Sequence, residues 1–157
     1  MAETRWLDPV EQRTWRAFRE ANRLLNEALD RQLQRDAGMP HTYYEILVRL
    51  SEVPGRRLRM SDLAHSSLSS RSRLSHAVSR LEERGWVRRE SCPTDGRGAL
   101  AVLTDEGFAR LTEAAPGHVA EVRRQLIDRL TPEQVAQLGE IARVICGGLT
   151  DSPPIDK

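Results

Sequence analysis

The sequence predicts a mainly α-helical domain that carries one small β-hairpin. Apolar residues recur at steps of three and four in long stretches near both ends of the chain, which is the spacing of amphipathic helices. Two short apolar-containing runs, 86–91 and 99–103, flank a stretch rich in Pro, Asp and Gly, a pattern typical of a hairpin. The length of 157 residues suggests a single domain, 1–157, with a real hydrophobic core.

The composition excludes several classes of protein. With 39% hydrophobic and 30% charged residues, the chain resembles folded globular proteins. No apolar run approaches the roughly 20 residues that span a bilayer, and residues 1–12 lack the layout of a signal peptide, so we expect a cytoplasmic protein. Two cysteines are too few for a disulfide scaffold or a Cys-rich zinc site. We expect no cofactor and no metal.

Positive charge is concentrated in the middle of the chain. Residues 56–97 contain 10 basic and 5 acidic side chains, whereas the segments on either side carry a net negative charge. This segregation suggests a surface for a polyanion, although ordinary variation of a charged surface gives the same counts. Of the 24 basic residues 23 are arginine, which suits phosphate and guanine but also reflects GC-rich codon usage.

The first helix is predicted from Pro9 to about Asp36. Asp8, Pro9 and Glu11 form a helix start with a capping acid, and Gly38 with Pro40 stops the helix. At 1.5 Å per residue it is about 42 Å long, longer than a small domain is wide. We therefore expect part of its apolar stripe to pack on a second chain. That stripe contains Trp15, Phe18, Asn22, Leu25, Leu29 and Leu33.

The central region predicts a helix–turn–helix motif followed by a hairpin. A helix at 42–52 ends at Pro54-Gly55, residues 57–59 alternate like a short strand, and a short capped helix begins near Ser61. A serine-rich turn then leads to a helix from about Ser70 to Arg84, closed by Gly85. The strands 86–91 and 99–103 follow directly.

Two further helices complete the prediction. Thr104 caps a helix that Pro116-Gly117 should break or kink before the apolar pattern continues to Leu130. Thr131 and Gln134 open the last helix with a capping box. Cys146 falls among the apolar positions of that helix, so we expect it to be buried. The tail 151–157 is expected to be frayed.

The helix 70–84 has the composition of a DNA-reading helix. On a helical wheel one face is apolar, and the opposite face presents hydroxyl, guanidinium and imidazole groups. Arg73 can contact a guanine with two hydrogen bonds, and Ser72, Ser75 and His76 can reach base edges or phosphate. Arg80 lies further along and is better placed for phosphate. The alternative is a plain solvated surface helix.

These features resemble one known family. Residues 74–87, read LSHAVSRLEERGWV, together with Asp95-Gly96-Arg97 and the run 103–107, LTDEG, are similar to the MarR (multiple antibiotic resistance regulator) family of bacterial winged helix-turn-helix transcription regulators. The resemblance covers most of the chain. It implies no catalytic activity, and the sequence shows no nucleophile motif, Gly-rich phosphate loop or paired-carboxylate signature.

The resemblance implies a homodimer on a pseudo-palindromic operator in double-stranded DNA. Residues 1–38 and 105–150 would form the dimerisation helices, and 40–104 the winged helix-turn-helix lobe. It also implies that Ser70 begins the recognition helix, and that Arg97 enters the minor groove, steadied by Asp95. The function implied is a sequence-specific regulator, a repressor relieved by a small-molecule effector.

The sequence is compatible with more than one kind of signal for this regulator. Members of the family often respond to small phenolic or aromatic acids, for which the candidate contacts are Trp15, Phe18, His41, Tyr44 and His65; each is alternatively a core residue. A second alternative is a redox-responsive regulator that acts through Cys92, beside two arginines. A third is a winged-helix module that binds protein instead of DNA.

Overall fold

The computed structural model describes residues 4–66, 71–92 and 98–149, with the backbone alone at positions 65, 66 and 71. The chain divides into two compact units, Met1–Val119 and Ala120–Lys157. Across the described ranges, no helix combines the length and the apolar character needed to cross a lipid bilayer.

The first helix, α1, spans Pro9–Ala37, close to its predicted bounds. Asp8 Oδ1 accepts hydrogen bonds from the backbone nitrogens of Val10 (2.7 Å) and Glu11 (2.9 Å), and Glu11 Oε2 accepts one from the Asp8 nitrogen (2.9 Å). This reciprocal capping satisfies donors that the first turn leaves unpaired. Gly38 ends the helix with a φ of 62°, a left-handed conformation that glycine adopts without a Cβ penalty.

The rest of the first unit alternates short helices with three strands. In chain order these elements are α2 (His41–Ser51), a 3₁₀ turn (Pro54–Arg56), β1 (Arg57–Arg59), α3 (Met60–Ser66), α4 (Arg71–Glu83), β2 (Val87–Ser91), β3 (Ala99–Leu103) and the beginning of α5 (Asp105–Gln125). The predicted order of helix, short strand, helix–turn–helix and hairpin is confirmed. Ser70, where the recognition helix was predicted to begin, lies outside the described residues.

The three strands form one antiparallel sheet in the order β1-β3-β2. The hairpin pairs Val87 with Leu103 at its base and Ser91 with Ala99 at its far end, and Leu58 of β1 lies opposite Ala101 on the other side of β3. The three-residue strand predicted from the alternation of Arg57–Arg59 is therefore the edge strand beside the hairpin.

The core of the first unit lies where α2, α3 and α4 meet the sheet. Fully buried side chains from these elements include Ile46, Leu47, Leu50, Leu63, Leu74, Val78, Leu81 and Val87. The period of these residues in each helix explains which face of the helix points inward. α4 therefore presents its other face outward, on a backbone held by the core.

The first turn of α5 is fastened to the turn that follows α4. Thr104 Oγ1 donates to the Gly85 carbonyl (2.7 Å) and accepts from the Gly107 nitrogen (3.0 Å), and the Thr104 nitrogen donates to the Trp86 carbonyl (3.1 Å). A Cβ on Gly107 would lie 2.1 Å from that same carbonyl oxygen. Only glycine permits this approach, which accounts for Thr104 and Gly107 in the LTDEG run.

Of the predicted break or kink at Pro116, the break is wrong. α5 continues without interruption from Asp105 to Gln125, with Pro116 inside it. Proline removes one backbone hydrogen bond and crowds the preceding turn, at a cost of about 3 kcal/mol. Leu111, Ala114 and His118 are buried in the first unit on both sides of Pro116, and their packing offsets that cost.

The second unit contains the end of α5, a 3₁₀ turn at Ile127–Arg129 and α6, Pro132–Leu149. Helical structure in α5 thus ends before the predicted limit of Leu130. The predicted capping box of α6 is confirmed, because the Thr131 nitrogen donates to Gln134 Oε1 (3.0 Å) and Thr131 Oγ1 accepts from the Gln134 nitrogen (3.2 Å). The expected burial of Cys146 is wrong for the single chain: Cys146 is exposed, and α6 contains no buried residue.

The substitution Gly107→Ala tests the contact between α5 and the turn after α4. The added methyl group would meet the Trp86 carbonyl, so the backbone must shift, and we expect a loss of about 1–3 kcal/mol in the free energy of unfolding by urea. Ala109→Ser is the control, because it also adds one heavy atom to α5 but at an exposed position. It should cost no more than about 0.5 kcal/mol, and equal losses for the two variants would contradict the close approach.

Candidate nucleic-acid interface

The outward face of α4 carries most of the predicted DNA-binding side chains. Its inward face buries Leu74, Ala77, Val78 and Leu81. The outward face exposes Ser72, Arg73, Ser75, His76 and Arg80. One rigid helix therefore presents hydroxyl, guanidinium and imidazole groups together, with the hydroxyl-rich part toward its N-terminal end. Each of these groups can donate or accept hydrogen bonds at base edges or phosphate.

Arg80, predicted to contact phosphate, is paired within its own helix. Its Nη1 lies 2.7 Å from Glu83 Oε2, and both side chains are more than half exposed. The hydrogen bond to Glu83 and the charge of that carboxylate raise the pKa of Arg80 above its ordinary value. A phosphate would have to compete with Glu83 for this guanidinium, so Arg80 is a weaker candidate than the sequence indicated.

The hairpin lies beside α4, which contacts β2. The described part of the hairpin ends at a backbone hydrogen bond from the Cys92 nitrogen to the Gly98 carbonyl (2.9 Å). Asp95 and Arg97, the predicted clamp and minor-groove probe, lie outside the described residues. Their roles remain predictions.

Arg89 of β2 joins the hairpin to α4 and was not among the residues predicted from the sequence. Arg89 Nη1 lies 3.1 Å from Glu82 Oε2, and Arg89 Nη2 donates to the Ser75 carbonyl (3.0 Å) and to Ser79 Oγ (3.1 Å). Strand alternation offered a signal, since Arg88 and Arg89 must point to opposite faces of the sheet. Only the fold shows which of the two meets α4.

The predicted effector contacts are only partly brought together. His41 and Tyr44 both lie near His118, at ring-centroid distances of 5.5 and 4.4 Å. Trp15 and Phe18 lie on the first half of α1 and are about half exposed. The backbone nitrogen of His41 donates to Asp30 Oδ1 of α1. Along the axis of α1, Asp30 lies about 20 Å from Trp15 and Phe18. The side chain of His65 lies outside the described residues.

His118 and Gln32 extend the His41–Tyr44 cluster and were not predicted as site residues. Both are buried, and His118 Nδ1 lies 3.3 Å from Gln32 Oε1, so Nδ1 is the donor. Gln32 Nε2 in turn donates to Asp36 Oδ2 (3.2 Å). Burial raises the pKa of the Tyr44 phenol. The phenol is already protonated at neutral pH with its ordinary pKa of about 10, so it can donate a hydrogen bond there.

A small cavity of about 120 Å³ lies close to this polar chain in the first unit. It is lined by Asp36, Ala37, Met39, Arg110, Glu113 and Ala114. None of Trp15, Phe18, His41 and Tyr44 lines it. Its volume is below the roughly 300 Å³ at which pockets for drug-sized ligands begin. Within the described part of the chain there is also no group of three His, Cys, Asp or Glu side chains placed to hold a metal ion.

Cys92 is buried, with 5% of its surface exposed, and packs with Leu100 and Val102. Reactive cysteines generally occupy partly exposed, electropositive sites. This environment does not favour the redox alternative.

Comparison with known proteins points to one family. A model of the MarR family matches residues 37–98. Sco3205 of Streptomyces coelicolor, a MarR family transcriptional regulator solved in complex with DNA, is 60% identical; the match covers 96% of this chain and 94% of that one, with a TM-score of 0.90. AbsC of the same organism, also a MarR family regulator, is 48% identical over 93% of this chain and 98% of its own, with a TM-score of 0.86. The HTH-type transcriptional regulator PecS of Dickeya dadantii is 32% identical over 78 residues, which are 50% of this chain and 46% of that protein.

Proposed function

The chain belongs to the MarR family of DNA-binding transcription regulators, and from this membership we propose that it is a repressor that binds a pseudo-palindromic operator as a homodimer in the bacterial cytoplasm. The outward face of α4 is the observation that carries the proposal. It presents Ser72, Arg73 and His76 from a helix whose opposite face is anchored in the core. Its role is binding and not catalysis.

In this proposal α4 enters the major groove and the hairpin follows the duplex. Arg73 contacts a guanine. Base edges or phosphate are reached by Ser70, Ser72, Ser75 and His76. Arg80 contacts phosphate when it is released from Glu83. Arg97 enters the minor groove next to that major groove, steadied by Asp95. The two α4 helices of a dimer then lie about 34 Å apart, which corresponds to an operator of about 20 base pairs. Occupation of such a site in a promoter blocks polymerase.

Selection of bound sequences from a random duplex library tests the DNA-binding proposal. We expect wild type to select a two-fold symmetric sequence and Arg73→Ala to lose about 1–3 kcal/mol of discrimination at one base pair in each half-site. Arg97→Ala should relax preference in the A·T-rich flanks and lower the log–log salt slope by about one unit per lost phosphate contact. Arg31→Ala, an exposed arginine of α1, is the control and should leave the selected sequence unchanged.

Failure to select any sequence over random DNA would overturn sequence-specific regulation and favour the protein-interaction alternative. Unchanged sequence preference in Arg97→Ala would overturn only the proposal that Arg97 of the hairpin, the wing of this fold, enters the minor groove.

The homodimer is supported by apolar side chains that the single chain leaves exposed. In the first unit these include Trp6, Leu7, Val10, Trp15, Phe18 and Leu24. In the second unit they are Leu138, Ile141, Val144, Ile145 and Leu149. Exposed apolar surface of this extent marks a protein–protein interface, and α1 and α6 lie at the ends of the chain that were predicted to form it.

The double substitution Ile141→Glu and Val144→Glu tests the α6 part of this interface. Placing two carboxylates in an apolar interface should convert the dimer to monomer at micromolar concentration, as measured by sedimentation velocity. Glu140→Gln with Arg143→Gln, which alters two exposed polar positions of the same helix, should leave the dimer intact. A dimer that survives the double glutamate variant would place the interface elsewhere.

We propose that relief of repression involves a small aromatic or phenolic acid bound near His41 and Tyr44. The cluster that these residues form with His118 and Gln32 offers aromatic faces, a protonated phenol and a hydrogen-bonded imidazole. Trp15, Phe18 and His65 remain candidates for contact in the dimer.

Salicylate is the probe for this part of the proposal. In millimolar salicylate the affinity of wild type for the selected duplex should fall by at least about fivefold, the lower end of typical allosteric coupling. Tyr44→Phe, which lacks the phenolic hydroxyl, should lose most of that response, whereas the neighbouring Tyr43→Phe should keep it. An equal response in both variants would remove Tyr44 from the effector site, and no response in wild type would argue against phenolic acids as the effector class.

A further inference from the structure

Arg89 lies at the middle of the hairpin and faces the recognition helix. It pairs with Ala101 in the ladder of β2 and β3, two residues from each end of β2. The adjacent Arg88 points to the other face of the sheet, where it pairs with Glu90 (2.7 Å), and its side chain is 57% exposed. The Arg89 side chain is 33% exposed. Two arginines next to each other in the basic segment therefore have different surroundings.

The contacts of Arg89 cover two turns of α4 along one stripe. Ser75, Ser79 and Glu82 follow one another at spacings of four and three, so they share one face of the helix. The guanidinium meets all three: the Ser75 carbonyl at 3.0 Å, Ser79 Oγ at 3.1 Å and Glu82 Oε2 at 3.1 Å. The backbone nitrogen of Arg89 also donates to Glu82 Oε1 (3.0 Å), so both oxygens of this carboxylate are used by one residue of the strand.

The serines take part in the same network. Ser79 Oγ donates to the Ser75 carbonyl (3.0 Å) while it accepts from Arg89. Arg89 Nη2 also lies 3.5 Å from Ser75 Oγ, a side chain proposed to reach DNA. A planar guanidinium held at several points resists rotation far better than a single ion pair does. The hairpin is thus fixed to α4 in direction as well as in distance.

We propose that Arg89 is a positioning residue that sets the angle between the wing and the recognition helix, so that both engage the same duplex at once. Its charge is already matched by Glu82, which argues against a role as a phosphate contact. Affinity for DNA increases because the two contacts are linked. Once α4 has bound its groove, a wing held at the correct angle meets the neighbouring groove at a high effective concentration. This inference rests on the proposed roles of α4 and of Arg97 in DNA binding.

Arg89→Met keeps an unbranched apolar side chain in place of the arginine stem and removes every donor of the guanidinium. We expect its affinity for the selected duplex to fall by about tenfold or more, the size of effect typical of coupled contacts. On a random duplex, affinity and salt slope should remain near those of wild type, because no phosphate contact is lost. Arg88→Met is the matched control and should change binding to the selected duplex by less than about threefold. Circular dichroism and sedimentation show that each variant is folded and dimeric.

A salt slope on the random duplex lowered by about one unit, with both duplexes weakened equally, would identify Arg89 as a phosphate contact and overturn the proposal. Unchanged affinity for the selected duplex would also overturn it. Preference of wild type for the selected duplex tests the proposed function separately, so the two failures are distinguishable.

A second comparison shows whether Arg89 acts through α4. In a background of Ser79→Ala and Glu82→Met, which removes the two nearest side-chain acceptors of Arg89, the further change Arg89→Met should cost less than about threefold. A full tenfold loss in that background would mean that Arg89 acts independently of these partners. If Arg89→Met does not fold, Arg89→Lys serves instead: it keeps a charge opposite Glu82 but cannot reach both serines, and it should lose at least about threefold.

Discussion

The approach of the first turn of α5 to the Trp86 carbonyl is the constraint on which the arrangement of the DNA-binding lobe depends. One carbonyl oxygen accepts a hydrogen bond from Thr104 and lies against Gly107, where no side chain fits. Gly85, with a φ of 73°, turns the chain from α4 into β2 just before it. The end of α4, the base of the hairpin and the start of α5 therefore meet at one point, and a shift in any of them displaces the others.

This point fixes the base of the hairpin, and β1 supports β3 as far as Leu100 on the side away from β2. β2 lies at the edge of the sheet and is paired by a strand on one side only. The network of Arg89 with Ser79 and Glu82 provides a second point of attachment further along β2. With two points fixed, the hairpin has a defined direction relative to α4. A protein that reads a major groove with a helix and a neighbouring groove with a hairpin needs the two elements to be held at a fixed angle.

Local signals in the sequence were sufficient for most elements and insufficient for contacts between them. Caps and periodicity located α1, α4, α6 and even the three-residue β1, because these signals act within a few residues. They failed at Pro116, where packing by distant residues outweighs a local rule, and at Cys146, whose apolar neighbours remain uncovered in a single chain. The pairing of His118 with Gln32 spans 86 positions, and no periodic pattern encodes it.

The placement of acidic residues explains how a basic segment can favour specific over general binding. Glu82 and Glu83 follow one another at the C-terminal end of α4 and neutralise Arg89 and Arg80. Each arginine held in this way adds less to attraction for phosphates, which every DNA sequence offers equally. The N-terminal half of α4 contains no acid, so its hydroxyl, imidazole and guanidinium groups have no competing carboxylate in that half of the helix. The charge pattern of α4 thus separates the groups proposed to reach bases from the two carboxylates that pair with arginines.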